Sequence, residues 1–250
     1  MIIDTHAHVD VLDSTGWDDS PERVLHLMDR AGIEKTVVTS YGDTPGPNPS
    51  FDRLRTYVDD HPERFIGFPR LDPRYGERAA ETFERAVTEE GMRGLKLHPV
   101  SYGAPLFGEK TLRLLDMAAE FDVPVLIHSG DRIGALPQQV GEAARRTDAT
   151  LLMAHVGGFF NAREALAAAR RHENIVLETS AFPYPRLIQD AVDELGAERV
   201  VYGSDMPPGN PLVELRKVEV LDLTDDQRER VLWRNAADML DLDVTAEGSA

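Results

Sequence analysis

Short apolar runs rich in Val, Ile and Leu recur along this chain at intervals of about 25–35 residues, the length of a βα unit. They lie at residues 1–3, 35–40, 65–68, 94–99, 123–128, 150–155, 175–179 and 200–205, with helical stretches between them. The runs are continuous rather than alternating, as parallel strands covered on both faces require. Eight such units in 250 residues match the size of a TIM barrel, and the competing arrangement is an open doubly wound sheet. One feature separates the two. Polar residues end the first run (His6, His8) and the eighth (Asp205), and these runs are neighbours only if the sheet closes. The expected fold is α/β: a single-domain (β/α)8 TIM barrel over residues 1–243, with 244–250 as a flexible tail.

Local signals agree with this frame. Ser20 before Pro21 reads as an N-cap with proline at N1, and Gly32 as the stop of that helix. Thr224 with Gln227 forms a capping box for the last long helix. Ser50 is expected to cap a helix carrying Phe51, Leu54, Tyr57 and Val58. Residues 9–19 and 42–49 are polar or rich in Gly and Pro and are expected as loops.

Composition removes several classes of function. There is no cysteine, which excludes disulfides, thiolate metal sites and cysteine nucleophiles. No apolar run approaches 18 residues, so no membrane span is expected. The chain opens on a strand rather than a charged leader, which points to the cytoplasm. A net charge of −17 repels phosphate backbones and argues against nucleic acid as partner. The only lysines are Lys35, Lys96, Lys110 and Lys217. An acidic, lysine-poor surface suits a high-salt cytoplasm; a genome that favours Arg over Lys is the compositional alternative. The first account predicts a melting temperature that rises between dilute buffer and molar KCl, as self-repulsion is screened. A flat melting temperature over that range leaves only the second.

Chemistry in a barrel sits at the carboxyl ends of the strands. Here those ends carry His6 and His8, Arg70, Lys96 with His98, His128, His155, Glu178 and Asp205. Residues i and i+2 of a strand share a face, so His6 and His8 can chelate one cation, although two imidazoles are half of a four-ligand site. Lys96 and His98 share the inner face for the same reason. His26, His61 and His172 fall on helices or loops and read as structural or exposed.

The motifs Asp4-Thr5-His6-Ala7-His8, Gly94-Leu95-Lys96-Leu97-His98-Pro99, Ile127-His128-Ser129-Gly130, Ala154-His155-Val156-Gly157-Gly158 and Tyr202-Gly203-Ser204-Asp205, in this order, resemble the amidohydrolase superfamily. Within it they are similar to the amidohydrolase-related (amidohydrolase 2) branch, which includes decarboxylases of the aminocarboxymuconate-semialdehyde type. The resemblance reaches Asn235-Ala236 in the final helix. It implies a divalent metal, usually zinc, with His6, His8, His128 and Asp205 matching the ligands of the mononuclear form. His155 matches the histidine beside an activated water, and Asp205 is the matching proton shuttle. Binuclear relatives carry a bridging carboxylated lysine on strand four. Lys96 is read instead as a cation for a substrate carboxylate or as an ion-pair partner of Glu178.

Arg70, Lys96, His98 and Arg132 are the candidate substrate-binding residues, since Arg pairs with carboxylates bidentately. Phe159, Phe160, Phe182 and Tyr184 follow strands six and seven as candidate pocket walls. The implied activity is metal-dependent hydrolysis of a small amide, lactone or ester, with a decarboxylase or hydratase on the same site as the alternative. A nuclease like the TatD deoxyribonucleases is disfavoured, because that family carries a glutamate ligand where this chain has Gly-Leu-Lys-Leu-His, and an inactive barrel or binding scaffold is the remaining alternative. The expected partner is a small-molecule substrate, without nucleic acid or membrane, and a homodimer is compatible with the sequence.

Overall fold

The computed structural model describes residues 1–12, 17–42, 49–130 and 132–243; the expected tail at 244–250 lies outside them. The barrel strands are β1 (Ile3–His8), β2 (Lys35–Thr39), β3 (Phe65–Gly67), β4 (Leu95–Leu97), β5 (Val125–Ile127), β6 (Leu151–Met153), β7 (Ile175–Glu178) and β8 (Val200–Val201). All their pairings are parallel. Strands β1, β2 and β3 form one sheet in that order, and β4 to β8 form a second.

Two seams join the sheets into a barrel. Arg70 bridges Lys96, with Lys96 N–H donating to the Pro69 carbonyl at 2.9 Å and Leu71 N–H to the Lys96 carbonyl at 3.2 Å. Ala7 bridges Met206, flanked by Asp205 N–H to the His6 carbonyl and His8 N–H to the Met206 carbonyl, both 2.7 Å.

Alternation along each strand sorts the side chains into two cores. Leu95, Leu97, Val125, Ile127, Leu151, Met153, Ile175, Leu177 and Val200 pack outward against the helices. Their neighbours Val37, Ile66, Phe68, Leu126, Leu152, Val176 and Val201 fill the barrel interior, together with Leu240. Going up by two residues turns that apolar layer into a polar one at three points of the barrel: Leu126 leads to His128, Val176 to Glu178, and Phe68 to Arg70. The site is therefore the upper layer of the barrel's own core. Gly94 makes room below it, since a Cβ there would meet the Phe68 ring at 2.2 Å.

The outer helices are α1 (Pro21–Ala31), α2 (Pro49–Asp60), α3 (Glu77–Thr88), α4 (Glu109–Glu120), α5 (Pro137–Ala144), α6 (Ala162–Arg171), α7 (Pro185–Leu195) and α8 (Pro211–Glu219). Ser20 caps α1, accepting from Arg23 N–H, and Gly32 ends it in the left-handed region. Such a cap contributes about 1 kcal/mol. The Thr224–Gln227 capping box opens the last helical run, whose Ala236 and Ala237 pack on Ile3. No helix among the described residues is long and apolar enough to cross a membrane.

Two expectations are corrected. Residues 9–19 are not all loop: Asp10–Leu12 and Trp17–Asp19 pair as an antiparallel ribbon. Three-residue, aspartate-rich strands carry no hydrophobic period. The buried carboxylates are matched instead by Arg53, which donates to Asp10 at 2.7 and 2.9 Å, and by the Tyr41 hydroxyl, which donates to Asp19 at 2.6 Å. Ser50 does not cap α2, which already begins at Pro49; its hydroxyl accepts from Arg53 at 3.2 Å.

Candidate metal centre

Strand β1 shifts register against β2 between Asp4 and Ala7, so one residue of β1 is extra, as in a β-bulge. The Asp4 carboxylate satisfies the bulge by accepting the His6 N–H at 3.0 Å. It also accepts the Ser204 N–H at 2.9 Å and the Ser204 hydroxyl at 2.5 Å. Asp4 thus pins the start of the His6–His8 segment to the residue beside Asp205. Burial pushes its carboxyl up to about 7, against the opposing pull of the Ser204 hydrogen bond.

Across this seam, His6 Nε2 lies 3.5 Å and His8 Nε2 3.1 Å from Asp205 Oδ1, and the three donor atoms lie within 4.8 Å of one another. Bonds of about 2.1 Å from a tetrahedral ion put its ligands about 3.4 Å apart, so this spacing fits one divalent cation. Burial and the nearby Lys96 charge hold His6 well below the usual imidazole range, and burial lowers His8 as well. Both rings are therefore neutral, the form that ligates. Burial raises the Asp205 carboxyl, but His6 and the hydrogen bond with His8 overcome this and hold it well below the carboxylate range. A second group, His6, His155 and Glu178, also lies within ligating distance.

The structure distributes the other sequence candidates around this trio. His128 lies outside both groups. It stacks on His98 with ring centroids 4.1 Å apart, and its Nδ1 sits 3.2 Å from His155 Nε2. His155 Nδ1 faces the Ser180 hydroxyl at 3.0 Å. Lys96 is fully buried, with Nζ 2.8 Å from His6 Nε2, while Glu178 holds the other nitrogen of that ring at 3.1 Å. Arg70 is 6% exposed. Burial, with the charges of Arg70 and Lys96, lowers His98 to about 3. Arg132 stands apart: it is exposed on the loop after β5 and joins none of the site's hydrogen bonds or ion pairs among the described residues.

Phe159, Tyr184 and Phe182 form a chain of ring contacts at 5.2 and 5.6 Å, and Phe160 meets Phe159 at 4.7 Å. Phe182 is buried, whereas the other three are exposed. The Tyr41 ring stacks on His8 at 4.5 Å and 9°.

Sequence reasoning missed Asp4, Tyr41, Ser180 and Ser204 as site-forming residues. Asp4 and Ser204 were legible as members of their motifs, but Ser180 and Tyr41 fall outside any motif and carry no spacing signal. It also missed a clamp behind the site. Lys217 donates to the Thr179 and Phe182 carbonyls at 3.0 and 2.8 Å and pairs closely with Glu214. Glu214 accepts the Ala181 N–H at 3.1 Å. Helix α8 thereby holds the loop that carries Ser180.

Burial raises Glu214 to about 7, only partly offset by Lys217. A carboxyl raised on folding gives stability that is present below its unfolded value of about 4.5 and lost as the pH climbs through about 7. Glu214→Gln is expected to flatten the fall in urea-unfolding free energy between pH 4.5 and 7.5. A variant whose pH profile runs parallel to wild type would refute this origin.

The family model described as Amidohydrolase matches residues 3–242. The chain belongs to the amidohydrolase family. Amidohydrolase-family enzymes use a divalent metal, in keeping with the donor cluster above. Among curated relatives, a gamma-resorcylate decarboxylase of Rhodococcus jostii (strain RHA1) is 22% identical, with 92% of each chain covered. A solved 2,6-dihydroxybenzoate decarboxylase, complexed with 2,6-dihydroxybenzoate, shares the fold at TM-score 0.75 and 17% identity, covering 97% of this chain and 98% of that one. So does a dihydroxybenzoic acid decarboxylase of Polaromonas sp. JS666 with bound manganese and the inhibitor 2-nitroresorcinol, at TM-score 0.74 and 19% identity, covering 96% and 97%. These neighbours show the TIM-barrel fold over 96–97% of this chain.

Proposed function

We propose that this amidohydrolase is a metal-dependent decarboxylase of a small aromatic carboxylic acid. The observation that carries the reading is the match, over nine-tenths of the chain, to gamma-resorcylate decarboxylases. The decarboxylase alternative thus takes precedence over the hydrolase first expected from the sequence.

The site's chemistry supports it. His6, His8 and Asp205 would hold the divalent ion, with His128 as the fourth ligand expected from the motif. When bound, that ion supplies a Lewis acid that anchors and polarises substrate oxygens. Arg70 and Lys96 are the cations of the polar layer, and they pair with the substrate carboxylate. Lys96 Nζ lies 2.8 Å from His6 Nε2, the nitrogen that would face the ion, which places its charge beside the metal position. Asp205, the most exposed of the donor trio at 20% and held as a carboxylate, would take up a proton from solvent and pass it to the ring carbon as carbon dioxide leaves. His155 and His128, hydrogen-bonded to each other, hold the protons behind it. Phe159, Phe160 and Tyr184 offer flat apolar faces at the rim to an aromatic ring and keep water from it.

The test is a panel of hydroxylated benzoates, lactones, esters and amides, assayed with zinc- and with manganese-loaded enzyme for both carbon dioxide release and hydrolysis. Carbon dioxide release from a hydroxybenzoate is expected. Hydrolysis of neutral substrates with no carbon dioxide release would return the chain to the hydrolase reading.

A further inference from the structure

Glu178 is fully buried at the end of β7, and its two oxygens meet donors from three directions. Oε2 accepts from His6 Nδ1 at 3.1 Å, from the Ser180 hydroxyl at 2.8 Å and from the His155 N–H at 3.4 Å. Oε1 accepts the Ser180 N–H at 2.5 Å. The Ser180 hydroxyl, having given its proton to Glu178, presents only lone pairs to the two rings beside it. It lies 3.0 Å from His155 Nδ1 and 3.3 Å from His6 Nδ1. The Ser180 carbonyl adds a further acceptor 3.3 Å from His155 Nδ1.

Both Nδ1 atoms thus face acceptors, and a neutral imidazole carries its one proton on the nitrogen that can donate it. The opposite nitrogen of His6 agrees. His6 Nε2 faces the Lys96 ammonium at 2.8 Å, a donor that requires a lone pair there. His155 Nε2 faces His128 Nδ1 at 3.2 Å.

We propose that Glu178 and Ser180 are positioning residues that fix His6 and His155 in one common tautomer, Nδ1–H with the Nε2 lone pair turned into the barrel. One carboxylate–hydroxyl pair then prepares the metal-facing nitrogen of the first ring and the proton-handling nitrogen of the second. The metal half of this assignment rests on reading the site as a metal centre. Gly203 shows that the wall is shaped around this carboxylate: a Cβ there would lie 2.0 Å from Glu178 Oε1 and 2.5 Å from its Cδ.

The experiment uses protein labelled with 15N-histidine, with and without zinc, and long-range 1H–15N spectra that identify each ring's tautomer. Wild type is expected to show Nδ1–H at both His6 and His155. Ser180→Ala, which removes one oxygen, should leave His6 unchanged on Glu178 and convert His155 to a mixture of tautomers. Ser180→Thr should restore the single form. Glu178→Gln should weaken zinc binding about 10–100-fold in chelator competition, the usual effect of removing a ligand's supporting hydrogen bond.

An unchanged His155 tautomer in Ser180→Ala overturns the proposal, as does wild-type zinc affinity in folded Glu178→Gln. A wild type that takes up no zinc refutes the metal-centre reading alone, because the metal-free spectra still test the tautomers.

Discussion

His6→Ala is expected to lose the metal and the turnover together. Among the described residues, His6 is common to both candidate ligand groups, and a methyl group cannot refill a ligand position. Outer-shell changes already cost about 10–100-fold in affinity, so loss of a ligand should exceed that range. Elemental analysis after dialysis, with activity before and after chelation, measures both effects. Asp205→Asn should behave likewise, since it removes the only carboxylate of the trio. Full activity in protein stripped of metal would remove the basis for the centre. A far-ultraviolet spectrum and melting curve for each variant separate ligand loss from unfolding.

Arg70→Met and Lys96→Met are expected to lower kcat on an aromatic acid. A charge-assisted contact contributes roughly 1.5–3 kcal/mol, which corresponds to roughly 10–150-fold in rate. The split between kcat and KM is the informative part. If the carboxylate is the leaving group, these cations orient the breaking bond and kcat falls. If they only hold the substrate, KM rises and kcat stays. Arg132→Met serves as the control: its side chain is exposed and outside the site's contacts, so it should match wild type. A preference for neutral substrates, with Arg70→Met and Lys96→Met both near wild type, would assign these cations to the fold.

Much of this could be read before any coordinates, and for identifiable reasons. Strand period, caps and strand-end polarity are local properties, so Ser20, Gly32, Thr224 and the closing of the first strand on the eighth were all accessible. Alternation also told which residues of a buried strand face inward, and so which imidazoles share the barrel mouth. What escaped depends on contacts between distant segments. Lys96 was weighed against Glu178, yet His6 sits with Lys96 on one nitrogen and Glu178 on the other, an order set by three strands at once. Arg132 follows His128 closely in sequence, but its loop carries it into solvent. The ribbon at Asp10–Leu12 is held by Arg53 and Tyr41, which come from other units.

The seam between first and last strands has its own meaning for how the molecule is made. Ser204 bonds Asp4 across 200 positions of sequence, and contacts of such separation return nothing until the loop between them has closed. A growing chain carries His6 and His8 nearly 200 positions ahead of Asp205. On the reading of this site as a metal centre, an ion would find His6, His8 and Asp205 together only once the first and eighth strands have paired. On that reading, metal content in a preparation would record how many of its chains have finished folding.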